Sequence, residues 1–182
     1  YLWTGPDINT ANEALATLSI GQAGPYTLVV TDVSNGCTAA NDVLVNEDLV
    51  YPLANAGADT VITCENPVIT LNGAASASGT GIQILWNGLS ITPASQGLTT
   101  PDVTQPDNYV LTVTNTINSC VSIDTVVVLE DIEPPVALAG TDAILDCETT
   151  STILDGSGSS VGLAIAYLWA GPGVTAATET MQ

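Results

Sequence analysis

The residues best equipped for covalent chemistry are the four cysteines, which occupy two positions that recur at one fixed spacing. Cys37 recurs as Cys120, and Cys64 recurs as Cys147. Zinc ligation is a poor interpretation, because the chain has no histidine and no closely spaced pair of cysteines. Regularly repeated cysteines in an acidic chain with alternating apolar residues instead predict the disulfide bonds of a secreted protein.

Carboxylates are the second candidate chemistry, since they gather on both sides of two proline-containing joints. Calcium takes six to eight oxygen ligands, and acidic joints between domains can supply them. The alternative is a solvated, mutually repelling linker that holds no metal. Calcium is therefore the one cofactor that the sequence suggests. Its candidate ligands are Glu47, Asp48, Asp59, Glu130, Asp131 and Asp142.

The elements that position these groups follow the same spacing, an 83-residue period without insertion or deletion. A period of this length indicates a tandem array of small modules, cut from something longer. The sequence predicts the C-terminal part of one repeat (1–50), a complete repeat (51–133) and the N-terminal part of the next (134–182).

Apolar and polar residues alternate through most of each repeat, which is typical of strands with one buried face. We therefore expect an all-β fold of tandem immunoglobulin-like sandwiches. Strands are predicted over residues 1–3, 16–20, 26–32, 38–45, 60–63, 68–72, 83–87, 97–100, 108–115, 121–130 and 167–169.

Aromatic residues recur at equivalent positions of these strands. A tryptophan can serve as a sugar-stacking platform, but identical placement in apolar strands favours a role in the core of a sandwich. The tyrosines begin the strand before the hairpin and resemble tyrosine-corner residues. The predicted core aromatics are Trp3, Trp86, Trp169, Tyr26 and Tyr109.

Charge excludes several functional classes. Lys, Arg and His are absent and Asp plus Glu number 19, so the net charge is −19. Nucleic acids and anionic membranes are therefore poor partners. A serine or cysteine nucleophile lacks its usual base, and the acids repeat with the structure instead of gathering in one place. We expect a protein that is not an enzyme, and no apolar run is long enough to span a membrane.

A family resemblance rests on several of these motifs. Residues 25–37 (Pro-Tyr-Thr-Leu-Val-Val-Thr-Asp, then Asn-Gly-Cys) and the Tyr-Leu-Trp segments resemble repeats of giant gliding-motility adhesins of Bacteroidota. Residues 54–59 and 154–160 also look like the polycystic-kidney-disease (PKD) type of immunoglobulin-like domain. The segments after Trp3 and Trp169 depart from the PKD pattern, which usually has an acidic glycine turn there.

The resemblance implies export by type IX secretion and display at the cell surface. It also implies a Cys64–Cys120 disulfide within one repeat, with Cys37 and Cys147 pairing outside the segment. The alternative is a staple in which each Cys64-type residue reaches the hairpin of the next repeat. Asp59-Thr60-Val61 and Asp124-Thr125-Val126 resemble O-glycan acceptor sites of Bacteroidota, with Thr60 and Thr125 as the attachment points.

The expected function is mechanical. The repeats would form a stalk or filament of an extracellular adhesin that serves attachment, gliding or contact between cells. Expected partners are neighbouring repeats, parallel copies of the chain, and a target surface bound by another region. The alternative is that each repeat binds a glycan or protein weakly and acts through avidity, with loops around residues 90–104 as the binding surface.

Overall fold

The structure is a computed structural model that describes residues 1–174, and its regular secondary structure there is entirely β. The alternation of apolar and polar residues thus produces the all-β fold that it predicts. In the described part, no helix is long and apolar enough to cross a membrane. The strands are β1 (Leu2–Thr4), β2 (Gly24–Thr31), β3 (Thr38–Val45), β4 (Thr60–Thr63), β5 (Ile69–Thr70), β6 (Ile82–Asn87), β7 (Asp102–Val103), β8 (Asp107–Asn115) and β9 (Val121–Asp131).

Three sheets are built from these strands. Strands β1–β2–β3 form one sheet, which belongs to the first, partial repeat. The middle repeat has a four-stranded sheet in the order β4–β9–β8–β6 and a two-stranded sheet of β5 and β7. Strands β4 to β9 all lie within the predicted complete repeat.

Strand β4 runs parallel to its neighbour β9. Three hydrogen bonds join the two segments, Ala56 to Asp124, Asp59 to Val127 and Cys64 to Ile132, and each spans 68 residues. A constant offset of this kind requires parallel chains, because antiparallel partners keep a constant sum of residue numbers. The direction of β4 decides at which end of β9 Cys64 lies.

The core of the middle repeat follows the alternation along β8 and β9. Tyr109, Leu111 and Val113 are buried at every second position of β8, and Val126 and Val128 are buried in β9. The remaining core residues come from the other strands, the segment before β4 and the residue after β5: Ala56, Ile62, Leu71, Trp86 and Val103. This burial is the main stabilising contribution to the repeat.

By contacts between residues, the described residues divide into two compact units. One comprises Tyr1–Ile62 and Pro67–Leu129, and the other comprises Thr63–Asn66 together with the chain from Glu130. The second unit is irregular, and side-chain hydroxyls brace it: Ser160 Oγ accepts the amide of Val136, and Ser159 Oγ accepts that of Leu138. The third repeat continues into residues 175–182, which lie outside the described residues.

Two predicted strands are wrong, and each lies between the tryptophan of a repeat and the tyrosine that follows it. Residues 97–100 form no ladder; the strand lies at Asp102–Val103, where it pairs with β5. Pro101 has no amide hydrogen to donate to a ladder. The residues before it supply only isolated carbonyl acceptors; Thr99 O, for example, accepts the amide of Gly73 at 2.9 Å. Residues 16–20 also form no strand, and the position equivalent to β5 lies outside the sequence.

The predicted strand at residues 167–169 is wrong as well. In the first repeat the equivalent residues pair with β2, with Trp3 opposite Leu28. The position equivalent to Leu28 in the third repeat is beyond residue 182, and residues 167–169 belong to no strand among the described residues. Strand geometry depends on the ladder hydrogen bonds that such a pairing supplies.

Candidate functional site at the joints between repeats

The β8–β9 hairpin ends in a tight turn that places Cys120 directly before β9. Asn115 N donates to Cys120 O at 2.9 Å, and Ser119 N donates to Asn115 O at 2.7 Å. Ser119 has a φ of 64°, a left-handed backbone conformation that residues other than glycine rarely adopt. The first repeat has a glycine, Gly36, at this position with a φ of 76°. Cys37 and Cys120 therefore follow the same type of turn, each in its own repeat.

Asn118 connects this turn to the joint that precedes the middle repeat. Its side-chain Nδ2 donates to Asp48 Oδ1 and to Val50 O, each at 3.0 Å. Its Oδ1 accepts the amide of Cys120 at 3.0 Å. One side chain thus fixes both the hairpin cysteine and the joint. An asparagine two residues before each hairpin cysteine, Asn35 and Asn118, is the sequence signal that could have identified it.

Cys64 lies at the other end of β9, in a turn from Thr63 to Asn66. Thr63 N donates to Asn66 O at 3.1 Å, and Asn66 N donates to Thr63 Oγ1 at 3.1 Å. The Cys64 thiol donates to Ile132 O at 3.5 Å, one residue past the end of β9. The turn cysteine of the middle repeat therefore touches the joint that follows it.

The structure does not support the predicted Cys64–Cys120 disulfide, because the two residues lie at opposite ends of one strand. Strand β9 has 11 residues and spans about 35 Å at roughly 3.3 Å per residue, whereas bonded cysteines need Cα atoms within about 7 Å. Cys64, Cys120, Cys37 and Cys147 are all free, and only Cys120 is buried.

The calcium candidates are not brought together. Among residues 1–174 there is no group of three or more His, Cys, Asp or Glu side chains that could hold a metal ion. Asp59 Oδ1 accepts the amide of Val127 at 2.8 Å, and Asp48 accepts that of Val50 at 3.3 Å. These carboxylates thus brace the backbone. Calcium binding through the predicted set, Glu47, Asp48, Asp59, Glu130, Asp131 and Asp142, stays a prediction.

Two aspartates in cysteine-bearing turns have pKa values below the ordinary value of 3.8. The pKa of Asp32 is lowered mainly by the hydroxyl of Ser34 and then by the Ser34 amide. The pKa of Asp146, next to Cys147, is lowered by the amides of Thr149 and Glu148. Both carboxylates stay ionised and cap their turns at neutral pH.

The aromatic residues take structural positions in the described repeats. Tyr26 and Tyr109 are buried, and each hydroxyl donates to a carbonyl four residues earlier, at 2.9 Å and 2.8 Å. Trp86 is buried, whereas Trp3 and Trp169 are half-buried. The burial of Trp86 therefore does not support a sugar-stacking role for this residue.

The two candidate glycan acceptors differ in accessibility. Thr125 is exposed in β9, and Thr60 is half-buried at the start of β4. Attachment of a glycan needs a free hydroxyl that an enzyme can reach, which favours Thr125. Glycosylation at either residue stays a prediction.

Comparison with known proteins supports the repeat class. The chain is 36% identical over 177 residues to the dyslexia-associated protein KIAA0319-like protein of Mus musculus, covering 86% of this chain and 17% of the relative. It is 36% identical over 154 residues to the human dyslexia-associated protein KIAA0319, covering 74% of this chain and 14% of the relative. No family model matches. With its all-β structure, the chain is a set of PKD-like, immunoglobulin-like repeats that spans about a sixth of these relatives.

Proposed function

We propose that this array of PKD-like repeats is a stalk segment of a large extracellular protein, which holds an adhesive region away from the surface that anchors it. The proposal rests on one observation, the positions of the two joints of the middle repeat. Val50 accepts a hydrogen bond from Asn118 in the turn just before β9, and Ile132 follows the end of β9. The chain therefore enters and leaves the repeat at opposite ends of a strand about 35 Å long.

Because the chain enters and leaves each repeat at opposite ends, the length of the array should grow in proportion to the number of repeats. A tandem array in which each unit contacts only its neighbours grows by one unit length per repeat. The hydrogen bonds of Asn118 hold the preceding joint and oppose its bending. These features suit a projecting stalk better than a compact binding protein.

Composition supports an extracellular position for the stalk. The net charge of −19 without any lysine or arginine keeps neighbouring copies apart and leaves no site for trypsin-like proteases. The absence of a cationic partner also makes lateral bundling depend on salt or divalent cations. The resemblance to gliding-motility adhesins supports a bacterial cell surface, type IX secretion and roles in attachment or gliding. The mammalian relatives support only the class of repeat.

A chain in which residues 51–133 are duplicated in tandem tests the proposal. Small-angle scattering at moderate salt should show a maximum dimension about 35 Å longer than that of the parent chain. An unchanged dimension would mean that the repeats fold back on one another, and would overturn the stalk.

A glycan array tests the alternative function. The duplicated chain offers every exposed loop twice, so a repeat-borne glycan-binding site should give a stronger signal than the parent chain through avidity. A silent array with both proteins folded supports the stalk. A signal that rises with the number of repeats would identify a binding module instead.

A further inference from the structure

We propose that successive repeats are covalently stapled by a disulfide bond between the Cys64-type residue of one repeat and the Cys120-type residue of the next. The inference does not depend on the proposed function, since it concerns the chemistry of the joint in any array of these repeats. Two contacts at equivalent joint positions carry it.

The first contact comes from the repeat that precedes a joint. The sulfur of Cys64 lies 3.5 Å from the carbonyl oxygen of Ile132, the middle of residues 131–133, which lead from the last residue of β9 to the prolines of the joint. Cys64 is exposed, so its sulfur is open to a partner arriving from the far side of the joint. The turn from Thr63 to Asn66 holds the sulfur at this end of β9.

The second contact comes from the repeat that follows a joint. Asn118 donates to Asp48 and Val50, two residues of the joint formed by residues 48–50. The spacing that relates Cys37 to Cys120 also relates positions 48–50 to positions 131–133, so the two segments occupy the same place in successive repeats. The other end of the same amide accepts the backbone N–H of Cys120 at 3.0 Å.

At any one joint, the two contacts therefore converge on the same three residues. The preceding repeat brings a sulfur to the central residue, and the following repeat brings to the two residues beside it the Asn118 side chain that also holds the backbone of the hairpin cysteine. The Cys64 sulfur contacts the joint directly, and the backbone of the hairpin cysteine is linked to it through the side chain of Asn118. A bond between the ends of a single repeat has no such convergence.

The free state of all four cysteines is consistent with this pairing. Cys37 and Cys120 each require a turn cysteine from a preceding repeat, and Cys64 and Cys147 each require a hairpin cysteine from a following repeat. None of these four partner positions falls within residues 1–182.

Bond formation requires an oxidant, for which a small-molecule or protein disulfide suffices. The thiolate of one cysteine attacks the oxidant's disulfide, forming a mixed disulfide and releasing one thiol. The thiolate of the second cysteine then displaces the second thiol and forms the staple. Two thiols are oxidised and one disulfide is reduced to two thiols, so protons and electrons balance.

The chain with residues 51–133 duplicated contains one complete staple pair, the first copy's Cys64 and the second copy's Cys120. It is folded in a glutathione redox buffer, isolated as a monomer, and analysed by thiol counting and non-reducing peptide mapping. We expect a single Cys64–Cys120 linkage and two fewer free thiols than cysteines. The parent chain in the same buffer should keep all four thiols free.

Single substitutions show which copies are joined. Cys64→Ser in the first copy should abolish the linkage, whereas Cys64→Ser in the second copy should leave it intact. If the linkage survives each single substitution and disappears only in the double variant, the bond lies within a repeat and the staple is overturned. Free thiols throughout a chain with buried Trp86 fluorescence and a cooperative melt would also overturn it.

Discussion

The side-chain amide of Asn118 donates to the carbonyl oxygen of Val50 at 3.0 Å, across 68 residues of sequence. This contact joins the β8–β9 hairpin to the segment where the chain enters the middle repeat. The amide also donates to Asp48 and accepts from Cys120, so its loss would free the joint and the cysteine together.

Asn118→Ala should loosen the joint before the middle repeat. Each exposed hydrogen bond to the joint contributes about 0.5–1.5 kcal/mol, with the low end expected here. Hydrogen exchange by mass spectrometry should show faster exchange of peptides covering residues 46–54. Asn35→Ala is the matched control, since Asn35 also accepts the amide of its hairpin cysteine but binds Asp32 instead of a joint. Equal exchange of the joint in both variants would contradict the role of Asn118.

Gly88→Ala should destabilise the middle repeat strongly. A Cβ at Gly88 would overlap Cδ1 of the buried Tyr109 ring, which cannot move without breaking the 2.8 Å bond from its hydroxyl to Gln105 O. Overpacking of this kind costs about 1–3 kcal/mol. Denaturant unfolding followed by tryptophan fluorescence measures the loss.

Gly97→Ala is the control for that substitution. No heavy atom outside its immediate chain neighbours lies within 4 Å of a Cβ added at Gly97. Its free energy of unfolding should stay within about 0.5 kcal/mol of the parent value. Similar losses in the two variants would show that close packing against Tyr109 is not the cause.

Asp59→Ala should destabilise the middle repeat by about 0.5–1.5 kcal/mol, because the amide of Val127 loses the carboxylate acceptor of an exposed hydrogen bond. Asp59→Asn keeps an acceptor oxygen and should lose less. Thermal melts in calcium and in EDTA should give the same ranking, since the structure assigns Asp59 to the backbone. A rise in the parent's melting temperature with calcium that Asp59→Ala abolishes would instead establish a metal site.

The carboxyl of Asp32 should titrate with a pKa below 3.8, because the hydroxyl and amide of Ser34 stabilise its charged form. A pKa that is lower in the folded state gives a contribution to stability that is present above 3.8 and lost as the pH falls through the folded-state value. Carbon-13 NMR of the carboxyl measures the midpoint directly, and a midpoint at or above 3.8 would contradict the assignment.

Asp32→Asn separates the charge of this residue from its shape. The middle repeat has Asn115 at the equivalent position, where its Oδ1 accepts the amide of Ile117, so the turn tolerates the substitution. The variant should fold at neutral pH and lose less stability than the parent as the pH falls from about 4 to the folded-state pKa. Identical acid sensitivity would show that Asp32 contributes nothing to it.

Local patterns in the sequence are sufficient to predict the class of fold and most strands of the array. Alternation predicts β3 and β4 with the observed bounds, and β6, β8 and β9 to within a position at each end. It does so because alternation records which face of a strand is buried, a local property. Proline explains the main local failure, since Pro101 cannot donate to a ladder and the strand begins after it.

The distribution of the cysteines depends on the pairing of strands that are distant in the sequence. Alternation does not encode which strand lies next to which, or in which direction, and β4 meets β9 from a distant part of the sequence. The parallel direction of β4 places Cys64 beside Ile132, while Cys120 stays at the start of β9. The repeat period is the same for either pairing of these cysteines. The length of β9 and the direction of β4 keep the two cysteines of one repeat apart and place the Cys64 sulfur at the joint that follows it.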